Sequence, residues 1–187
     1  MSETSRAHKI EAPKSLNFGV FICSTSRFKE LEKGEQTSDA SGDLIVSLLK
    51  KTGHVVVSRE ILPDNPALIA EATQRVLHSA DTDVAIFCGG TGITPSDVTI
   101  EAVSPYLQKH LAGFGEIFRR LTYDDIGSAA VLSRACAGIA EGKAVFCIPG
   151  SPNAVRTCFE KLILPEVGHI VKHARERSKQ GSDSGKK

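Results

Sequence analysis

Val84-Ala85-Ile86-Phe87-Cys88-Gly89-Gly90-Thr91-Gly92-Ile93-Thr94-Pro95-Ser96-Asp97-Val98-Thr99 is the stretch on which the reading of this chain turns. An apolar run of strand length ends in a cluster of glycines, and a short helical pattern follows. A glycine-rich turn between a buried strand and a helix lets backbone N–H groups converge on an anion. The hydroxyls of Thr91 and Thr94 add donors, and Asp97 stands at the helix entrance, where a carboxylate can hold a cation. The segment reads as a phosphate and metal site.

On either side of it, strand-like runs alternate with amphipathic ones: residues 18–23, 41–51, 55–61, 66–80, 84–88 and 98–104. This alternation predicts an α/β fold, a three-layer α/β/α sandwich around a mainly parallel central sheet. The helix from Pro66 has a clear start, since Asn65 suits the N-cap and proline suits the first helical position. Residues 113–128 read as a looser region, 144–148 as another buried strand ending at Pro149-Gly150, and 155–164 and 167–172 as two terminal helical patterns. In open α/β sheets ligands collect beyond the carboxyl ends of the strands. Ser24-Thr25-Ser26, Leu62-Pro63-Asp64-Asn65, Gly89 to Asp97 and Pro149 to Pro152 all follow strand ends, so one composite site on one rim is expected.

The 187 residues, 41% of them hydrophobic, suffice for one sizeable core and fall short of two. One domain over residues 16–177 is expected, between polar tails at 1–15 and 178–187 that read as disordered. With 23 basic against 22 acidic residues, the formal net charge is +1. That balance argues against a nucleic-acid groove or an anionic membrane surface, so any phosphate must be met by local geometry. No apolar run nears the roughly 20 residues of a membrane span and no signal-peptide core opens the chain, which points to the cytoplasm. Cys23, Cys88, Cys136, Cys147 and Cys158 are odd in number and lack a C-x-x-C pair. Reduced, mostly buried thiols are expected rather than a zinc site.

The block G-G-T-G-x-T-P-x-D resembles the signature of the molybdenum-cofactor biosynthesis family that includes the MogA and MoaB proteins and gephyrin's N-terminal domain. Three further blocks agree with that family in order and spacing. They are Thr37-Ser38-Asp39-Ala40-Ser41-Gly42, Gly113-Phe114-Gly115-Glu116-Ile117-Phe118-Arg119, and Leu132-Ser133-Arg134-Ala135 with Pro149-Gly150-Ser151-Pro152. The likeness runs from Leu16 to Pro165 and favours the MogA/MoaB branch over the MoeA and CinA proteins.

The resemblance implies adenylyl transfer from Mg-ATP to the phosphate of molybdopterin, giving adenylylated molybdopterin and pyrophosphate, in a homotrimer or homohexamer. The alternative within the same branch is a molybdopterin-binding or carrier protein without turnover. A phosphate monoester is already anionic near neutral pH, so this chemistry calls for alignment and charge compensation more than for a general base. Mg²⁺ takes oxygen ligands, commonly one or two carboxylates completed by waters and phosphates. Asp64 and Asp97 stand where the family carries acidic active-site residues and are the expected catalytic, metal-holding pair. Gly89, Gly90, Thr91 and Gly92 are expected on phosphate, with Thr94 as a supplementary hydroxyl. Ser24, Gly150 and Ser151 are expected near the substrate, and Arg134 as a forked phosphate contact. Glu116 joins this set, although its spacing from Arg119 also suits an ion pair along a helix turn. Ala40 stands where the family often has a hydroxyl, which leaves Ser41 the role of a helix N-cap.

Other signals carry less. Gly90-x-Gly92 runs into Pro95 where a dinucleotide fingerprint needs its third glycine, and no G-K-[ST] occurs, so neither NAD nor a P-loop is expected. His169 and His173 share a helix face without an obvious third ligand. Ser24 lacks a nucleophile elbow, which argues against hydrolase chemistry.

Overall fold

The computed structural model describes residues 12–176. The tails expected at 1–15 and 178–187 lie outside the described residues, apart from 12–15, where the Ser15 hydroxyl donates to the Gly53 carbonyl at 2.8 Å.

Six strands form one sheet: β1 (Asn17–Cys23), β2 (Val55–Leu62), β3 (Val84–Cys88), β4 (Lys109–His110), β5 (Cys136–Ala140) and β6 (Lys143–Ile148). Their order is β2-β1-β3-β6-β5-β4. The first four in that order run parallel, while β5 pairs antiparallel with both β6 and β4. The helices are α1 (Thr25–Glu32), α2 (Ala40–Lys51), α3 (Pro66–His78), α4 (Thr99–Val103), α5 (Ala112–Ile126), α6 (Pro152–Thr157) and α7 (Leu164–Arg175).

The layering follows from β3, whose five residues are all buried. Its two-residue period sends Val84, Ile86 and Cys88 into a core with α2, α5, α6 and α7, and Ala85 and Phe87 into a second core with α3 and α4. Both faces of the sheet are therefore covered, as the three-layer expectation requires. Phe18, Phe87, Phe146 and Phe159 are at most 1% exposed. Each such side chain contributes about 1.5–3 kcal/mol by burial.

The start of α3 is as expected: the Asn65 side chain accepts from the N–H groups of Ala67 and Leu68, and Pro66 opens the helix. Other segments differ from the sequence reading. The stretch expected to be loose is the long helix α5, of which only Gly115 and Phe118 are buried. Ile117, Tyr123 and Ile126 are more than half exposed, so its apolar residues do not form a single core-facing stripe. Helix α1 buries no residue and left no periodic signal either. The two terminal patterns are one continuous helix, in which a π-turn (Cys158–Ile163) joins α6 to α7. That turn directly precedes Leu164-Pro165, where proline has no N–H to return to the preceding turn.

Asp83 ties the lower end of the sheet together. Its carboxylate accepts from the Asn17 N–H at 2.7 Å and pairs with Arg175 of α7. Partial burial opposes ionisation, but Arg175 and the Asn17 amide outweigh it and hold the carboxyl below its ordinary range. A depressed carboxyl contributes stability above its unfolded pKa and loses it as pH falls through the folded value. Asp83→Asn is thus expected to cost about 1–2 kcal/mol at neutral pH. Urea titrations should show the gap closing below about pH 4, and a gap independent of pH would assign the effect to packing.

Candidate functional site

Because β2, β1, β3 and β6 are parallel, their carboxyl ends open on one rim. Short backbone bonds knit the loops that leave them: the Ser24 N–H donates to the Leu62 carbonyl (2.8 Å), the Gly89 N–H to Ile148 (2.9 Å) and the Thr99 N–H to Gly90 (3.0 Å). Cys88 reaches the Pro149 carbonyl through its thiol at 3.6 Å. The four loops expected to share one site are joined by direct contacts.

Asp64, after β2, is fixed on one side only. Its Oδ2 accepts from both the N–H (2.9 Å) and the hydroxyl (2.7 Å) of Thr25, and its own N–H donates back to that hydroxyl at 2.9 Å. Its Oδ1 faces the glycine loop. A Cβ added at Gly90, where φ is +60°, would lie 2.5 Å from Thr99 Oγ1 and 2.9 Å from Asp64 Oδ1. Only glycine leaves open the polar recess between these two oxygens. Thr99 Oγ1 is buried there beside the Cys23 thiol, with no nitrogen or oxygen partner among the described residues.

Asp97 borders the same loop two residues further on, where its Oδ2 would be 2.7 Å from a Cβ at Gly92. That oxygen accepts from the Thr94 hydroxyl (2.6 Å) and N–H (2.9 Å). The hydroxyl bond, together with the Thr94 and Gly92 amides and Arg134, keeps the Asp97 carboxyl ionised to below its usual range despite slight burial. Thr94 therefore shapes the carboxylate rather than presenting a spare donor.

Arg134 underpins the loop. Its Nε donates to the Thr91 and Gly92 carbonyls, both at 2.9 Å, and its Nη1 pairs with Glu101 of α4 at 2.5 Å. The forked group expected on phosphate is engaged in holding the loop's own backbone. Arg134→Lys keeps the charge but loses the fork, and amide hydrogen exchange over residues 91–97 is expected to accelerate at least about tenfold. Unchanged exchange would show that the glycine turn holds itself.

Ser151 caps α6 by accepting from the Ala154 N–H at 3.3 Å, and Gly150 offers its carbonyl to the Ser41 hydroxyl at 2.6 Å. Ser24 precedes α1, with its hydroxyl 3.2 Å from that of Ser26. Glu116 is exposed on α5 and lines a cavity of about 240 Å³ with His110, Arg119 and Cys136; no residue of the glycine loop lines it.

The N-cap of α2 is a correction. Asp39, not Ser41, caps the helix by accepting from the Gly42 N–H at 3.0 Å, which frees Ser41 to tether Gly150. The buried Asp39 carboxylate is also bound by Arg59 of β2 at 2.5 Å, and Arg59 bridges to Asp43 at 2.7 Å. An acidic residue three before Gly42 is a readable cap signal. Arg59, some twenty residues away on an edge strand, gave none. Thr25 and Glu101 were missed for the same reason, since their partners are remote in sequence.

The residues present fit a magnesium ion. Among the described residues no three His, Cys, Asp or Glu side chains gather into a metal cage. Mg²⁺ does not need one: one or two carboxylates with substrate phosphates and waters suffice, and the Asp64 Oδ1 recess has that character.

Comparison with known proteins identifies the family of the chain. Residues 19–169 match the family described as "Probable molybdopterin binding domain". The chain is 48% identical over 165 residues to the molybdenum cofactor biosynthesis protein B of Bacillus anthracis, covering 88% of this chain and 94% of that one. It is 45% identical over 173 residues to the molybdopterin adenylyltransferase of Pyrococcus furiosus, covering 90% and 97%. A crystal structure of a molybdenum cofactor biosynthesis protein B superposes with a TM-score of 0.81 at 46% identity, covering 89% of this chain and all of that one. With the match spanning the sheet, the glycine loop and both aspartates, the chain belongs to the molybdopterin-binding-domain family of molybdenum cofactor biosynthesis.

Proposed function

We propose that this protein is a cytoplasmic, Mg-ATP-dependent molybdopterin adenylyltransferase. The observation that carries the reading is Asp64: its Oδ2 is locked by Thr25 while its Oδ1 faces a recess that only glycine at position 90 leaves open. The 45% identity to a protein named for this activity supports it.

In the reaction a terminal phosphate oxygen of molybdopterin attacks the α-phosphorus of ATP. The bond from that phosphorus to the bridging oxygen breaks, and pyrophosphate leaves. Both reactants are anions, so the task of the site is to bring them together and offset charge. Gly89 to Gly92 form the phosphate-binding turn, while Gly150, held by Ser41, packs against Gly89 and Ser151 caps α6 beside it. Asp64 and Asp97 would hold Mg²⁺, which when bound supplies positive charge to the triphosphate and to the leaving pyrophosphate. Arg134 and Thr94 are positioning residues, one for the loop backbone and the other for the Asp97 carboxylate.

A homotrimer or homohexamer completes the proposal. Ile117, Tyr123, Ile126, Val131 and Leu132 are 51–78% exposed on α5 and the segment after it. Apolar exposure concentrated there suits a contact with further copies of this chain. Equilibrium sedimentation should give a trimer or its double, and a monomer at micromolar concentration would remove this element.

The deciding assay is incubation with molybdopterin and Mg-ATP, following pyrophosphate and adenylylated pterin together. Formation of both in equal amounts is expected. Tight pterin binding without pyrophosphate at any magnesium concentration would instead establish the carrier reading.

A further inference from the structure

Cys136 and Cys147 face each other directly across the antiparallel ladder of β5 and β6. Opposed residues in such a ladder share a face, with Cα atoms about 4.5–5.5 Å apart, inside the span that a disulfide bridges. The two differ in access. Cys147 is 1% exposed, whereas Cys136 is only half-buried at the start of β5, with its thiol on the α3 and α4 side of the sheet near Ser104.

Their thiols also differ chemically. The neighbouring Cys147 thiol draws the Cys136 thiol below its ordinary range, outweighing partial burial, with Ser104 assisting from 4.0 Å. The same pairing with Cys136, together with complete burial, pushes Cys147 well up. Burial raises Cys23 and Cys88 to about 12 and Cys158 further still. One partly exposed thiol, shifted toward ionisation, thus sits beside a fully buried one, while the other three are buried as well. Thiolate character and access decide which cysteine is oxidised.

We propose that Cys136 is a peroxide-reactive modification site and that Cys147 is its resolving thiol. The Cys136 thiolate attacks one oxygen of hydrogen peroxide, the O–O bond breaks, hydroxide leaves and the sulfur becomes a sulfenic acid. Cys147 then gives up its proton and attacks that sulfur; the S–O bond breaks and water departs. Two thiols and one peroxide become one disulfide and two waters, with the sulfurs oxidised and the peroxide oxygens reduced. The closed bond ties the strand that follows Arg134 to the strand that leads to Pro149-Gly150, both of which reach the glycine loop.

The test is exposure of the full-length protein to hydrogen peroxide, followed by intact mass measurement and peptide mapping. A loss of about 2 Da, reversed by dithiothreitol and mapped to a Cys136–Cys147 linked peptide, is expected. Cys136→Ser should abolish it. Cys147→Ser, or Cys147→Ala if the serine variant does not fold, should leave a dimedone-reactive sulfenic acid at position 136. A 2 Da loss that persists in Cys136→Ser, earlier oxidation at Cys23, Cys88 or Cys158, or an unmodified native protein would each overturn the proposal. These readouts need no turnover, so their failure is separate from failure of the adenylyltransferase reading.

Discussion

Asp64→Asn is expected to lower adenylyl transfer by about 10²–10³-fold while leaving the fold intact. The substitution is nearly isosteric, and an asparagine carbonyl oxygen can still accept from the Thr25 N–H and hydroxyl that hold Oδ2. What changes is the outward atom. A negatively charged acceptor beside Gly90 and Thr99 becomes an amide donor, which repels a cation and offers nothing to Mg²⁺. Thermal melting should therefore match the parent within about 1 kcal/mol, while pyrophosphate release collapses at saturating Mg-ATP. Full turnover in this variant would move the metal entirely to Asp97, whose Oδ2 is bound by Thr94.

The second large effect is on stability. Gly89 sits at φ +105°, and a Cβ there would lie 2.3 Å from the Cys23 carbonyl oxygen. Neither backbone can yield easily. Cys88 is paired in register with Ile22, and the Gly89 N–H is bonded to Ile148 at 2.9 Å. Gly89→Ala combines a disfavoured backbone conformation with an overpacked contact, together on the order of 3–5 kcal/mol. For a domain of this size that is a fall of roughly 10 °C in melting temperature. Gly34→Ala is the control: its φ is also positive, at +74°, but among the described residues nothing lies within 4 Å of the added Cβ. The difference between the two melts isolates the steric part. Equal effects would show that the rim can open to admit a side chain, and the loop could not then be the rigid phosphate cradle proposed above.

Legibility varied along the chain for physical reasons. Strands β1, β3 and β6 were readable because parallel strands in a covered sheet are short, apolar and bounded by turn residues, and the largely exposed edge strand β2 was readable through its apolar ends at 55–57 and 61–62. The hairpin of β5 and β6 was only half readable. Its turn places Glu141 at φ +48°, without the Asn-Gly or Asp-Gly pair that signals such a turn, and β5 itself is built of small residues. Helix α5 was hidden because its apolar residues point outward as well as inward.

At the site, the composition of the rim was legible, and the state of each group was not. Strand period, turn chemistry and helix caps act over a few residues, so the sequence by itself determined the layers, the glycine turn after β3 and the gathering of four loops on one rim. Partners across the chain depend on strand order and packing, which no local pattern encodes. The tertiary structure alone decided that Ser41 holds Gly150, 109 positions away, and that Arg134 braces the carbonyls of Thr91 and Gly92. It also decided that Thr25 occupies one oxygen of Asp64 and leaves the other facing the recess at Gly90.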